Sequence, residues 1–288
     1  MPELPEAETI ARGLAAAVTG RRIDDVEVLR ADVLRVHPHV FRACVRSLRV
    51  ERVGRRGKNV VLTLDRGRFL VVNLGMTGRL LPLLPGGAAP AFPPTHPALR
   101  FSFREGGVMV FDDVRRFGAV ECLAEEEWAE RSTALGPEPL SEDFTPAVLA
   151  RRLAGSRAPV RSWLLDQRRV AGVGNIYANE ALWRARVHPG RPAGSLTGAE
   201  ARRLHEGITS VLREAVDARG TTLRDYRTAE GAAGSFLVRL SVYGREGSPC
   251  PRCSMPVKRV VFGNRSAFLC PRCQPEGGGG RRASTGRP

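Results

Sequence analysis

Two Cys-x-x-Cys knuckles, Cys250-Pro251-Arg252-Cys253 and Cys270-Pro271-Arg272-Cys273, constrain the fold of this chain more than any other feature. Their spacing is that of one tetrahedral zinc, and four thiolates close the coordination sphere, so the ion is expected to be structural. Iron on the same thiolates is a lesser alternative, and disulfides are disfavoured in a reducing compartment. Val257 to Phe262 and Ser266 to Leu269 flank Gly263-Asn264, the signature of a β-hairpin. Lys258, Arg259 and Arg265 make that hairpin basic, which suits a nucleic-acid backbone and equally a solvated face. Cys44 and Cys122 have no motif around them and read as buried small apolar residues.

The 288 residues are 42% hydrophobic and 26% charged, enough for two domains with their own cores. A formal net charge of +15, carried mostly by arginine, points to a polyanionic partner, nucleic acid first, because guanidinium forks match phosphate oxygens and release condensed counterions. No stretch approaches the roughly 18 apolar residues of a membrane span and no secretion signal opens the chain, so a cytoplasmic protein is expected.

Ala7, Ile10, Ala11, Leu14, Ala17 and Val18 recur at helical spacing, predicting an amphipathic helix over residues 5–19. From Ile23 to Leu123 short β-type runs alternate with turn residues: Val60 to Leu64, Phe69 to Leu74, Leu99 to Phe103 and Val108 to Phe111. This predicts a β-sandwich, with a long surface loop from Pro82 to Pro94 and a linker at Gly136-Pro137-Glu138-Pro139. Helical periodicity returns at Pro146 to Leu153, around Trp163, from Ile176 to Val187 and from Thr197 to Asp217, where Thr197 and Glu200 have capping-box spacing. The end, from Pro275, reads as a disordered glycine-arginine tail.

The chain begins Met1-Pro2-Glu3. Trimming of Met1 leaves Pro2 as a secondary amine, and an α-amino group titrates near ~7.7–8.0 against ~10.4 for lysine, so far more of it is nucleophilic at neutral pH. With an aldehyde-level carbon it gives an iminium, always cationic, that acidifies the adjacent carbon. Glu3 beside it is a proton carrier. The same residues also suit a plain helix approach. Gly172 and Gly174 before a helix at Asn175 make a candidate phosphodiester cradle, and Lys58 at a strand start is placed to meet a phosphate or a base.

Together these residues resemble the formamidopyrimidine-DNA glycosylase (Fpg/Nei) family of bacterial DNA glycosylase/AP lyases, over nearly the whole chain to about Gln274. The resemblance rests on Pro2-Glu3-Leu4-Pro5-Glu6, Arg56-Gly57-Lys58, Asn73-Leu74-Gly75-Met76-Thr77-Gly78, Arg115-Arg116-Phe117-Gly118, Gly136-Pro137-Glu138-Pro139-Leu140, Gly172-Val173-Gly174-Asn175-Ile176-Tyr177 and the four cysteines, in the family's order. It implies an α+β protein: an N-terminal catalytic β-sandwich flanked by helices (1–135), a helical helix-two-turn-helix DNA-binding domain (136–228), a lesion loop with a C-terminal zinc β-hairpin (229–275) and the tail (276–288). Its cofactor is one structural Zn2+ on Cys250, Cys253, Cys270 and Cys273. Its partner is double-stranded DNA containing oxidised bases, bound by a monomer between domains, on the nucleoid.

The implied activity belongs to base excision repair. Pro2 attacks the sugar C1′ of 8-oxoguanine or formamidopyrimidine nucleotides, Glu3 manages protons at the opening ring, and β,δ-elimination cuts the strand, with Lys58 at the β step and Arg265 at the δ step. Because arginine barely deprotonates, Arg265 is better written as a phosphate clamp. The flipped base leaves a hole that Met76, Arg115 and Phe117 fill, while His96, Arg115, Arg157, Asn175 and Arg265 hold the backbone. Glu6 supports the active site from behind. Two departures are visible: Arg161 stands where lysine is frequent, and the lesion loop reads Glu230-Gly231-Ala232-Ala233-Gly234-Ser235-Phe236. The alternatives are an endonuclease VIII-like glycosylase for oxidised pyrimidines and a non-catalytic zinc-containing damaged-DNA-binding protein.

Overall fold

The computed structural model describes residues 2–87, 92–221, 236–262 and 265–276. Two compact units form: residues 1–138, 170–172 and 212–239 make the first, and residues 139–169, 173–211 and 240–288 the second. No helix among the described residues is long and apolar enough to cross a membrane.

The first unit runs α1 (Leu4–Val18), β1 (Ile23–Val28), a 3-10 turn (Ala31–Val33), α2 (Pro38–Val45), β2 (Val50–Arg56), β3 (Asn59–Leu64), β4 (Arg68–Asn73), β5 (Arg79–Leu83), β6 (Pro97–Phe103), β7 (Val108–Asp112), β8 (Ala119–Ala124) and α3 (Glu125–Thr133). Two four-stranded antiparallel sheets, ordered β1-β6-β7-β5 and β2-β3-β4-β8, share one core. The apolar stripe of α1, Leu4, Ala7, Ile10, Ala11, Leu14 and Val18, is buried as its period requires. Phe41 of α2 meets Phe101 of β6 edge to face at 6.2 Å, and burying side chains of this size contributes about 1.5–3 kcal/mol each.

Three sequence readings change here. Cys44 and Cys122 are not unrelated core residues but a disulfide joining α2 to β8 across 6.3 Å between Cα atoms. Pro82 is not loop: it lies in β5, an edge strand, where a missing N–H breaks no ladder. The remaining loop is described only outside residues 88–91. The helix α2 interrupts the stretch from Ile23 to Leu123 read as β throughout, and α3 follows directly after that stretch; α3 buries no residue, so it has no apolar stripe to betray it, and it is held instead by Glu125, Glu126 and Glu127 in its first turn.

The second unit contains α4 (Pro146–Leu153), α5 (Val160–Leu165), α6 (Asn175–Ala185), α7 (Gly198–Asp217, whose residues from Leu212 belong to the first unit) and the hairpin of β9 (Lys258–Phe262) and β10 (Arg265–Leu269). The capping box of α7 is formed: the Thr197 N–H donates to Glu200 Oε2 at 2.9 Å and the Glu200 N–H to Thr197 Oγ1 at 3.3 Å. The hairpin is antiparallel with Arg265 opposite Phe262; its turn residues 263–264 and the tail from 277 lie outside the described residues. Glu180 of α6, fully buried, accepts the backbone N–H groups of Ser241, Val242 and Tyr243, each at 2.9 Å, and so leads the chain into the knuckles.

Candidate active site

In the first unit, the start of α1 is fixed by its own chemistry. The Glu6 carboxylate reaches back to the Glu3 N–H at 2.8 Å, satisfying a donor that the helix cannot. The Leu4 N–H donates to the Gly172 carbonyl at 3.0 Å. That close approach needs glycine: a β-carbon at position 172 would lie 2.7 Å from the Leu4 side chain, and φ there is +81°. The turn carrying Lys58 arrives at the same place, because a β-carbon on Gly57 would sit 3.6 Å from Ala171 Cβ and from the Gly172 nitrogen. Pro2 and Glu3, both buried, and half-buried Lys58 are therefore organised around one segment, Ala171-Gly172, from positions far apart in sequence.

Two further carboxylates stabilise this arrangement. Glu6 Oε1 accepts the N–H and hydroxyl of Thr221 at 2.8 and 2.9 Å, tying α1 to the residue at which the segment after α7 begins. The other root is pinned too, since the Phe236 N–H donates to Gly220 O at 3.2 Å. Of the predicted lesion loop only Phe236 is among the described residues. Glu138 receives Arg55 at 2.7 Å, Arg56 at 2.9 Å and the Gly57 N–H at 2.6 Å. Burial works to raise its carboxyl, but the Arg55 charge and these hydrogen bonds outweigh it and hold it below the ordinary 4.5. Arg56 also donates to the carbonyls of Ser132, Leu135 and Gly136, so the Gly136-Pro137-Glu138 motif serves to clamp the Lys58 turn.

The predicted hole-filling residues lie on two adjoining loops of the same unit. Met76 is 37% and Phe117 59% exposed, unusual for large apolar side chains and suited to a missing partner. The Arg115 guanidinium lies over the Phe117 ring, 4.7 Å from its centroid. Buried Asp113 organises both loops: it accepts the Thr77 hydroxyl at 2.5 Å, the Arg115 N–H at 3.2 Å and the Gly118 N–H at 2.8 Å. Gly75, at φ +59°, allows the loops to touch, as a β-carbon there would fall 2.5 Å from Gly118 N. Exposed His96 is positioned through its N–H, which donates to Asp112 at 2.5 Å, while Asp112 also holds Arg79. Sequence reasoning missed Asp112 and Asp113; adjacent acids inside a basic protein's strand end were the available signal.

In the second unit, Asn175 opens α6 and faces the hairpin. Its Nδ2 donates to Ser266 O at 3.3 Å, and Arg161 Nη2 joins Asn175 Oδ1 at 2.6 Å to Ser266 O at 2.8 Å. Asn179, one turn on, donates to Asn175 O and accepts the Phe268 N–H at 2.8 Å. Arg161 is thus a buried brace between helix and hairpin; burial, together with the Arg265 charge, pulls its guanidinium below the ordinary value. Arg265 is exposed beside it, whereas Arg157 stands exposed between α4 and α5, outside this network.

The four knuckle sulfurs lie within 4.8 Å of one another, with separations of 3.9, 3.4 and 3.5 Å for Cys250–Cys273, Cys253–Cys270 and Cys253–Cys273. Zn–S bonds of about 2.3 Å in a tetrahedron require S···S of roughly 3.8 Å, so the donors fit zinc and the set is complete. Burial favours the Cys250 thiol, yet the N–H groups of Arg252 and Cys253 and the Trp183 indole bring it down to about 6, while burial and shared protons push Cys273 up to about 12. Gln274 locks the second knuckle, its Nε2 donating to Val187 O at 2.9 Å and its Oε1 accepting the Cys270 N–H at 3.0 Å. These four cysteines hold one structural Zn2+.

Three family profiles match the chain: "Formamidopyrimidine-DNA glycosylase N-terminal domain" over residues 1–120, "Formamidopyrimidine-DNA glycosylase H2TH domain" over 135–227 and "Zinc finger found in FPG and IleRS" over 247–275. The formamidopyrimidine-DNA glycosylase of Chloroflexus aggregans is 46% identical over 277 residues, covering 95% of this chain and 98% of its own. The crystal structure of the MutM (Fpg) protein of Thermus thermophilus is similar with a TM-score of 0.85 at 42% identity, covering 96% and 100% of the two chains. The Lactococcus lactis Fpg in complex with DNA containing an abasic site is similar with a TM-score of 0.86 at 29% identity, covering 95% and 100%.

Proposed function

Since the chain belongs to the formamidopyrimidine-DNA glycosylase family, we propose that it excises oxidised purines from duplex DNA and then cuts the strand at the abasic site through an imine on Pro2. The observation that carries the mechanism is the convergence of the α1 start and the Lys58 turn on Ala171-Gly172. It supports a nucleophile, a proton carrier and a cation held by rigid elements around one reacting carbon.

After loss of Met1, the Pro2 nitrogen attacks C1′ of the flipped nucleotide and the N-glycosidic bond breaks, the electron pair leaving with the oxidised base. Glu3 gives a proton to the ring oxygen as the deoxyribose opens to the iminium. The iminium acidifies C2′; its proton is removed and the C3′–O bond breaks, with Lys58 placed to serve that β step. A second elimination breaks the C5′–O bond, and Arg265 holds the departing phosphate as a charge-assisted clamp. Water then releases the sugar remnant and regenerates the amine. Met76, Phe117 and Arg115 occupy the vacated stack, His96, Asn175 and Arg157 hold the backbone, and the setting is the cytoplasm, on the nucleoid.

Borohydride reduction during turnover of duplex with 8-oxoguanine opposite cytosine tests this directly. A covalent adduct mapped to Pro2 is expected, and Pro2→Gly should lose at least about 100-fold in cutting while binding lesion duplex as before. Trapping only on a preformed abasic site would point to a different base, such as an oxidised pyrimidine. Undiminished cutting by the variant would remove Pro2 from the mechanism.

A further inference from the structure

A cavity of about 400 Å³ lies in the second unit beside the zinc knuckles, and arginine dominates its walls: Arg186, Arg191, Arg203, Arg252 and Arg272 surround a single carboxylate, Glu200. We infer that this cavity is a docking site for an acidic peptide segment of another protein, separate from the surface that grips DNA.

Its arginines are arranged rather than merely abundant. Arg191 is spent on Glu200, at 2.5 and 3.1 Å. Among the described residues, the other four make no ion pair with a carboxylate. Two of them are oriented by the last carbonyls of α6: Arg203 Nε donates to Ala185 O and Arg252 Nη1 to Trp183 O, both at 3.1 Å. Arg252 also stacks on the Trp183 ring at 4.2 Å, which leaves the outer edge of its guanidinium for an anion. Arg186 occupies the left-handed C-terminal position of α6 at φ +58°, where glycine is the usual and less strained residue.

Neutralising the helix end and the zinc centre explains part of this charge. It does not consume it. Five guanidiniums against one carboxylate and the double negative charge of a zinc tetrathiolate leave a surplus of two positive charges in one concavity. DNA is the wrong occupant by position and by shape. Asn175 and the hairpin network lie at the N-terminal end of α6 and the cavity at its C-terminal end, about 16 Å away at 1.5 Å per residue. A hollow of this volume takes a few side chains, not a duplex, and planar forks pair bidentately with carboxylates.

The test uses the full zinc-loaded chain and a fluorescein-labelled peptide of ten alternating aspartate and glutamate residues, followed by anisotropy with and without saturating duplex that carries a tetrahydrofuran abasic-site analogue, which cannot form the imine and is not cut. One-site, salt-sensitive binding that persists on the DNA complex is expected. The Arg186→Glu/Arg203→Glu double variant should weaken it by at least tenfold, and Arg265→Glu should not. Arg186→Gly, which relieves the backbone, keeps the test independent of folding and should weaken binding severalfold at unchanged zinc content. Displacement of the peptide by duplex, preference of the cavity for a single-stranded oligonucleotide, no peptide binding, or indifference to both Arg186 variants would overturn the assignment.

Discussion

Asp113 illustrates how much a single buried carboxylate controls. Three donors from two loops converge on it, so the exposed trio of Met76, Arg115 and Phe117 owes its presentation to a residue that touches none of their side-chain tips. Asp113→Asn replaces an acceptor by a donor facing N–H groups and is expected to loosen both loops. Excision of 8-oxoguanine opposite cytosine should fall by about 10–100-fold, in line with the cost of small misplacements, while trapping on an abasic site changes much less. Equal losses in both assays would mean that the catalytic centre itself had moved. Glu138 acts at the turn that carries Lys58, in the same unit. Its carboxyl is held below 4.5, so its stabilisation is complete above that value and disappears as pH falls through the lower folded value. Thermal unfolding midpoints should decline below about pH 4.5, and Glu138→Gln should flatten that decline at a cost of about 2–4 kcal/mol near neutrality.

Among the elements, those with an apolar period were legible in advance. The stripe of α1, the runs of β3, β4, β6 and β7, and the helices α4, α6 and α7 all bury what their spacing indicates. What escaped carried too little apolar period to show: α3 buries no residue and is held by first-turn acids, β5 buries only Leu80 and Leu81 ahead of Pro82 at a sheet edge, and α2 buries only Phe41 and Val45 and is cross-linked to β8. Pairing of Cys44 with Cys122 is a long-range fact that local sequence does not carry. The disulfide encloses 78 residues of separation, and a loop of this length gives about 4 kcal/mol by chain entropy. Reducing it, or the Cys44→Ser/Cys122→Ser variant, should lower the first unit's melting temperature by roughly 8–16 °C, read by calorimetry with and without reductant. At the site the same division holds. Pro2, Glu3, Lys58 and the four cysteines were visible as motifs, and Arg161 as a departure from the family pattern, whereas Asp113, Asn179 and Glu180, which hold the neighbouring loops and the hairpin, are ordinary residues with partners such as Thr77, Phe268 and Val242 far along the chain.

For the molecule as a whole, charge and metal have separable roles. The zinc braces a hairpin whose Ser266 carbonyl is shared by Arg161 and Asn175, all within the second unit, while Pro2 belongs to the first. Stripping the metal with a chelator should therefore unfold the hairpin and weaken duplex binding by at least about tenfold, without removing the reactive amine. Restored affinity on adding zinc back would confirm the brace, and tight binding after verified metal loss would contradict it. Salt should weaken binding with a slope of about −0.9 per phosphate neutralised.

Gly172 gives the enzyme a birth order. The amide that anchors α1 finds its carbonyl partner only 168 residues later, and Glu6 waits longer still, for Thr221. At 5–20 residues per second, synthesis leaves the amino terminus unanchored for roughly 8 to 34 seconds before residue 172 is made. Pro2 is buried in the finished fold, so on the proposed mechanism Met1 has to be removed within that interval, while the start of the chain is still open to a peptidase. The proposed nucleophile would then be unmasked on the nascent chain and enclosed by segments translated after it.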